Sequence, residues 1–102
     1  MDVSTGSCSI VTVVTDDLVT IRVHGEVDLA TAPSLDAAFA GVDGARVAVD
    51  LSEMTFCDAA GLRVLELAHV RLGPRLQVTG AQSLVRRLAR LLDLPWIVDP
   101  QS

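Results

Sequence analysis

The amino-acid sequence predicts an α/β fold: one domain with a mixed β-sheet of about four to five strands, an initial hairpin, and helices packed against the sheet. Two β-branched segments near the start are separated by a short acidic turn, which predicts the hairpin. Strand-like and helix-like segments then alternate, which indicates parallel strands with helical connections. The chain has 102 residues, of which 50% are apolar, so we expect residues 1–102 to form a single domain.

The hairpin is predicted from residues 8–14 and 18–24, with its turn at residues 15–17. In the second segment, polar residues alternate with three apolar ones, which are Val19, Ile21 and Val23. This alternation indicates a strand with one buried face. Residues 25–28 are then expected to turn the chain towards the first helix.

Residues 31–40 predict the first helix, with Thr31 at its N-cap and Pro33 in the first turn, where proline is tolerated. The apolar stripe of this helix consists of Leu35, Ala38 and Phe39. Residues 46–51 have an apolar centre, which is typical of a strand covered on both sides. We expect this strand to lie centrally in the sheet.

A second helix is predicted to follow Asp58, because this carboxylate can accept hydrogen bonds from the free amides of Ala60 or Gly61 and complement the helix dipole. The apolar run of the helix consists of Leu62, Leu65, Ala68, Val70 and Leu72. Gly73 and Pro74 are expected to end it.

Three further elements are predicted in the last part of the chain. Residues 75–79 indicate a strand, and residues 96–98 indicate an additional piece at the edge of the sheet. Between them, residues 81–92 predict a helix whose apolar stripe is Leu84, Leu88 and Leu91.

The net charge of −5 is distributed unevenly along the chain. Residues 1–58 carry ten acids and two arginines, a balance of −8, whereas residues 59–102 carry three acids and six arginines, a balance of +3. Nucleic acid is not an expected partner, because binding it requires a concentrated basic face and aromatic stacking platforms. A protein with a basic surface fits the acidic half better.

No apolar segment approaches the ~18 residues that a membrane span needs, and the first residues do not have the pattern of a signal peptide. The expected location is therefore the cytoplasm, with no membrane partner. The compartment is reducing, so the two cysteines, Cys8 and Cys57, are expected to be thiols.

No catalytic or metal-binding pattern is present in the sequence. The histidines are His24 and His69, and no serine lies in a nucleophile elbow. Together with Cys8 and Cys57 they lack the short pair spacings that hold zinc. A glycine-rich phosphate loop is also missing. We therefore expect no cofactor and no enzymatic activity.

Three short motifs occur in order along the chain: Gly25-Glu26-Val27-Asp28, Asp50-Leu51-Ser52, and Phe56-x-Asp58-x-x-Gly61-Leu62. With their surroundings, from about residue 9 to 98, they resemble the STAS domain of bacterial anti-sigma factor antagonists. The resemblance implies a non-enzymatic regulator of transcription that binds an anti-sigma factor, usually a serine kinase, and thereby frees a sigma factor. In that family the kinase reverses binding by phosphorylating a serine or threonine directly after the motif's aspartate.

In this chain the acceptor position is Ala59, and Ala60 follows it where the family often has a second hydroxyl. Neither alanine can carry a phosphate. The resemblance predicts a partner surface formed by residues 25–28, residues 53–61 and the first turns of the second helix. Its predicted contact residues are Glu26, Asp28, Cys57, Asp58, Ala59, Ala60, Gly61 and Leu62.

Several interpretations stay open at this stage. The chain could be a constitutive antagonist, answer a different signal, or use the same surface for another partner, such as a transporter or a multiprotein assembly in which it is an accessory subunit. Cys57 could be a packed apolar residue, or a redox sensor whose thiolate the helix dipole favours and Asp58 opposes. The oligomeric state is not predicted.

Overall fold

The fold contains five β-strands and two α-helices within the residues that the computed structural model describes, which are 2–5, 8–42, 46–80 and 90. The strands are β1 (Asp2–Thr5), β2 (Cys8–Thr15), β3 (Leu18–Val27), β4 (Arg46–Cys57) and β5 (Leu76–Thr79). The helices are α1 (Ala32–Ala40) and α2 (Ala59–Leu72), and a 3-10 turn, Gly73–Arg75, leads from α2 into β5.

All five strands form one sheet in the spatial order β1-β2-β3-β4-β5. β2 pairs antiparallel with both β1 and β3, whereas β4 is parallel to β3 and β5 is parallel to β4. Parallel neighbours cannot be joined by a tight turn, so α1 and α2 form the crossover connections. The predicted mixed sheet with an initial hairpin is confirmed, and β4 is an internal strand as expected. Strand β1 was not predicted, because its four residues are too few to show a period.

The turn of the hairpin between β2 and β3 is tighter than predicted. Thr15 pairs with Leu18, so the turn consists of Asp16 and Asp17 alone. Asp16 has a φ of 53°, a left-handed conformation that aspartate tolerates better than most residues with a side chain. The short acidic turn is thus suited to a two-residue hairpin connection.

Strands β3 and β4 both run further than the sequence predicts. β3 continues through Val27, although residues 25–28 were expected to form a turn, and β4 continues to Cys57 instead of ending at residue 51. In this region each strand pairs with the other, with Gly25 opposite Met54 and Val27 opposite Cys57. Register shifts interrupt the pairing, and they obscure the alternation from which a strand is predicted.

One hydrophobic core lies between the sheet and the two helices. From β3 it receives the three alternating residues predicted to be buried, Val19, Ile21 and Val23. From β4 it receives Val47, Val49, Leu51, Met54 and Cys57. Helix α1 buries Leu35 and Phe39, and Ala38 is half-buried against the core. The apolar stripe predicted for α1 is therefore confirmed.

Helix α2 contacts the sheet with a stripe spaced three or four residues apart, formed by Leu62, Leu65, Ala68 and Leu72. The prediction was wrong for Val70, which is 75% exposed. At about 100° per residue, Val70 lies roughly 200° around the helix from Ala68 and therefore on the solvent side. Val70 is therefore an apolar residue that is not part of the core.

Arg71 joins the last turn of α2 to the end of α1. Its guanidinium donates hydrogen bonds to the carbonyl oxygens of Phe39 and Val42, the second at 3.4 Å. The carbonyls at the end of a helix lack partners within the helix and carry its negative pole, so a cation there stabilises α1. This contact holds the two helices side by side.

The Asp50-Leu51-Ser52 motif has a structural explanation on β4. Leu51 is buried in the core, and Asp50 accepts a hydrogen bond from the Ser52 amide at 2.9 Å. Hydrogen bonds from Ser52, with the charge of Arg22 as a smaller cause, lower the pKa of Asp50. Arg22 lies 3.7 Å from the Asp50 carboxylate on the sheet face away from the helices.

The helix predicted over residues 81–92 and the edge piece predicted over residues 96–98 lie outside the described residues, apart from Arg90. The predicted strand over residues 75–79 is confirmed as β5, one residue shorter at its start because Arg75 belongs to the 3-10 turn.

Leu65 and Val70 form a matched pair that tests which face of α2 is buried. Leu65→Ala should lower the free energy of unfolding by about 2–5 kcal/mol, because it leaves a cavity in the core. Val70→Ala should change it by no more than about 0.5 kcal/mol, because the side chain is in solvent. Urea denaturation of both variants measures the difference. Equal losses would show that α2 is oriented differently.

Candidate functional site

The predicted partner residues meet where β3 and β4 end side by side. Val27 and Cys57 are paired across the two strands, and the amide of Asp58 donates a hydrogen bond to the carbonyl of Val27 at 3.1 Å. The segments that follow the strands therefore start next to each other, at the C-terminal ends of these two neighbouring strands. Asp28 and Asp58, thirty positions apart in the numbering, lie in these two neighbouring turns.

Asp58 caps α2 as predicted. Its backbone is extended, with φ −95° and ψ −172°, and its Oδ1 accepts hydrogen bonds from the amides of Ala60 at 2.9 Å and Gly61 at 3.1 Å. Two amides that the helix itself cannot satisfy are thereby paired, and the negative charge lies at the positive end of the dipole. The cap fixes the position of Ala59, the first helical residue.

Asp28 organises the other turn. Its Oδ1 accepts hydrogen bonds from the amides of Ala30 and Thr31, both at 3.0 Å. Its own amide donates to the Thr31 hydroxyl at 2.9 Å, and that hydroxyl lies 3.0 Å from the carbonyl oxygen of Glu26, to which it can donate. The turn is thus closed by a short network of side-chain and backbone contacts.

The role predicted for Thr31 needs correction. Thr31 is at the N-cap position of α1, but its side chain makes no capping hydrogen bond to the helix. Thr31 is only 3% exposed, and its hydroxyl makes hydrogen bonds with Asp28 and Glu26, which precede the helix. A side chain that closes the preceding turn is not available to the amides of the first helical turn.

The eight predicted contact residues lie in two layers. Glu26 and Ala59 are exposed, and Asp28, Asp58 and Ala60 are half-buried, so these five form the surface of the site. The other three, Cys57, Gly61 and Leu62, are buried. In this conformation they support the surface from beneath, so a direct contact with a partner is not open to them.

Gly61 has a packing role that the motif alone does not reveal. A Cβ atom at this position would lie 2.6 Å from the sulfur of Cys57 and 2.7 Å from Cγ1 of Val27. Both distances are far below normal contact, so only glycine lets the first turn of α2 approach the ends of β3 and β4 this closely. The approach in turn keeps Ala59 and Ala60 next to the Asp28 turn.

Burial decides the state of both cysteines. Desolvation, with the charge of Asp58 as a smaller cause, raises the pKa of Cys57 to about 12. Burial also raises the pKa of Cys8, with Asp28 as the smaller cause. The effect of the helix dipole, which was expected to favour a Cys57 thiolate, is outweighed. Both side chains are thiols packed under the site at neutral pH.

Among residues 2–5, 8–42, 46–80 and 90, no group of three or more His, Cys, Asp or Glu side chains could hold a metal ion. Within the same residues, no helix is both long and apolar enough to cross a membrane.

Sequence reasoning missed Leu29. This residue lies in the turn directly after Asp28 and is 79% exposed, and it borders a hollow between α1 and α2 that Ala60 also lines. The one indication in the sequence was that this leucine lies in a turn, between an aspartate and small residues, where an apolar side chain is often exposed. Without the neighbouring helix in place, it could not be distinguished from an ordinary exposed apolar residue.

The sheet order and the two crossover helices define a small mixed α/β domain. The family model described as "Mlab, STAS domain" matches residues 11–99, and the chain belongs to this STAS family. The resemblance stated from the three motifs is therefore confirmed. No curated protein matches the chain.

Solved structures similar to this chain include three anti-sigma factor antagonists. One from Mycobacterium paratuberculosis is 29% identical with a TM-score of 0.77, over 86% of this chain and 80% of that protein. A STAS-domain antagonist from Rhodobacter sphaeroides is 24% identical with a TM-score of 0.60, over 76% and 90%. The antagonist SpoIIAA in its unphosphorylated form is 17% identical with a TM-score of 0.65, over 88% and 87%. The last two show likeness of fold alone.

Asp58→Ala should lower the free energy of unfolding by about 1 kcal/mol, because the Ala60 and Gly61 amides lose their acceptor. Asp58→Asn is the matched control and should lose much less, since an asparagine oxygen can accept the same hydrogen bonds. Chemical denaturation at neutral pH measures both variants. A loss for the asparagine variant as large as that for alanine would assign the effect to charge instead of capping.

Burial and the raised thiol pKa values predict that the folded protein resists alkylation by iodoacetamide at pH 8. The thiolate is the reactive form, and with a pKa of about 12 Cys57 contains almost none of it at that pH. When the same protein is unfolded in guanidinium chloride, both cysteines should be alkylated at the rate of an exposed thiol. Intact mass follows both reactions. Rapid labelling of Cys57 in the folded protein would revive the redox-sensor interpretation.

Proposed function

We propose that this protein is an anti-sigma factor antagonist, a non-enzymatic module that binds an anti-sigma factor of the serine-kinase type in the cytoplasm and so frees a sigma factor. Membership of the STAS family and the 29% identity to a mycobacterial antagonist support the proposal. The exposed or half-buried positions of five predicted contact residues also support it; these residues are Glu26, Asp28, Asp58, Ala59 and Ala60.

The observation that carries the proposal is the position of Ala59. It is exposed in the first turn of α2, directly after the capping aspartate and ahead of the packed Gly61. In the family that the motifs resemble, this position carries the hydroxyl that the kinase modifies, and the capping aspartate and packed glycine around Ala59 support the proposal that only the hydroxyl is missing here. Such a framework supports retained binding with a lost off-switch.

The chemistry of the switch explains the consequence of the alanine. A phosphoryl group brings about −1.5 to −2 charges, and in this site it would stand beside the carboxylate of Asp58. At the centre of a close contact with small apolar residues, that charge would lose its water beside Asp58 without a matching partner, and this cost would keep the partner away. Ala59 excludes this, so the antagonist we propose is not switched by phosphorylation at this position.

The acidic side chains of the surface have separate roles. Asp28 and Asp58 are both acceptors for backbone amides, so each holds its turn while contributing negative charge. Glu26 is exposed on the outer end of β3. Together they favour approach by a basic partner, and the two alanines allow that partner close contact at the centre.

Native co-purification from the source cell tests the proposal. Recovery of an anti-sigma factor supports it. Recovery of transporter subunits alone would overturn it in favour of the accessory-subunit interpretation.

Two substitutions at position 59 test how the surface works. Ala59→Ser should bind the recovered anti-sigma factor like the wild type and gain one phosphate when the kinase and ATP are present, because the hydroxyl is restored at the exposed position. Ala59→Asp should weaken binding at least about tenfold, because it places a carboxylate beside Asp58 at the centre of the close contact, where docking would remove its water. Intact mass and calorimetry measure the two effects.

Ala37→Asp is the matched control for charge, since Ala37 is an exposed alanine of α1 outside this surface. It should bind like the wild type. A serine variant that binds the kinase yet gains no phosphate would show that position 59 is not a dormant acceptor site. Equal weakening by Asp at 37 and 59 would show that the contact is not local.

A further inference from the structure

A groove runs between α1 and α2, starting beside the candidate site. Two hollows lie along the helix pair, and both are lined by Asp36 and Leu67, so they form one continuous depression. The end next to the site is bordered by Leu29 and Ala60, and the far end by Phe39 and Arg71. Ala60 therefore belongs both to the surface proposed to bind the anti-sigma factor and to the groove.

The groove exposes apolar side chains that the protein's own core does not cover. Leu29 is 79% exposed and Leu67 is 51% exposed. Exposed leucines that line one depression are characteristic of protein contacts. A small-molecule site would enclose most of its ligand, whereas these exposed walls leave the groove open along its length.

The two walls carry opposite charges. Asp36 is the charged residue of α1, and Arg63 projects from the first half of α2. Neither makes an ion pair or side-chain hydrogen bond within the part of the chain that the structure describes. Arg71, by contrast, is held by the carbonyls at the end of α1. As far as the described residues go, Asp36 and Arg63 are therefore available to charges on an incoming segment.

We propose that the groove binds an amphipathic helix of the anti-sigma factor, a step that rests on the function proposed above. The helix would place apolar residues, spaced three and four apart, against Leu29, Val64 and Leu67. A basic side chain on one flank would meet Asp36, and an acidic side chain on the other would meet Arg63. Docking at Ala59 and docking in the groove would then be two parts of one interface.

A helix fits this groove better than the alternatives. The walls are side chains of two helices, which offer no strand edge to satisfy the backbone of an extended peptide, whereas a helix satisfies its own backbone. A second copy of this chain related by a two-fold axis would oppose the same concave surface to itself. Two facing grooves leave a space between them, while a convex helix fills one.

Leu67→Glu and Val70→Glu form the matched test. Both residues are exposed on the same helix and both changes add one negative charge, but Val70 does not line the groove. The probe is the anti-sigma factor recovered by co-purification, expressed and purified, and calorimetry measures its Kd. Leu67→Glu should raise the Kd at least about tenfold, as expected for a charge placed in a desolvated apolar contact, and Val70→Glu should change it less than about twofold.

Further measurements separate the possible failures. Hydrogen exchange on the partner should show one protected helical segment that loses protection with Leu67→Glu. If Ala59→Asp weakens binding while Leu67→Glu binds like Val70→Glu, the groove proposal is wrong and the proposed function stands. If no anti-sigma factor is recovered, both fall. If sedimentation shows a wild-type dimer that Leu67→Glu dissociates, the groove's occupant is a second copy and the proposal is overturned.

Discussion

The parallel pairing of β3 and β4 up to their last residues is the constraint on which the rest of the site depends. Because Val27 and Cys57 lie opposite each other, the turns that begin at Asp28 and Asp58 start from adjacent points. The hydrogen bond from the Asp58 amide to the Val27 carbonyl closes the pairing at the edge of the sheet. If β4 ended at residue 51, no such edge would exist and the two acidic turns would not be held next to each other.

Packing beneath the edge converts this pairing into a defined surface. Gly61 allows the first turn of α2 to rest on Cys57 and Val27, and Leu62 anchors that turn in the core. The small residues above it, Ala59 and Ala60, therefore rest on buried side chains. Alanine offers a partner only a methyl group. How well such a surface can bind therefore depends on its shape and on how well the residues beneath it are packed.

The same architecture links the site to the groove. Arg71 holds the end of α1 against α2, while the Asp28 turn fixes its beginning, so hydrogen bonds hold α1 at both ends. The groove between them opens at Ala60, which is also part of the site. In the interface that we propose, a partner bound at Ala59 would extend along the helix pair, and the small residue at the junction would leave room for it.

Local sequence was sufficient for the features that depend on neighbouring residues. The alternation of Val19, Ile21 and Val23 defined a strand face, and an aspartate before an apolar run defined the cap of α2, because both follow from the periodicity or hydrogen bonding of a single segment. The three motifs identified the family for the same reason, since they record short segments in order.

Tertiary structure decided what depends on contacts between distant segments. Strands β3 and β4 extend because each supplies the other's hydrogen bonds. Thr31 closes a turn because its hydroxyl forms hydrogen bonds with Asp28 and Glu26 and not with the amides of the helix. Val70 faces solvent because the orientation of α2 is set by where its leucines meet the sheet. At Cys57 the effect of burial on the thiol pKa outweighs that of the helix dipole, and burial cannot be inferred from a single segment. The groove likewise exists only because two helices lie side by side.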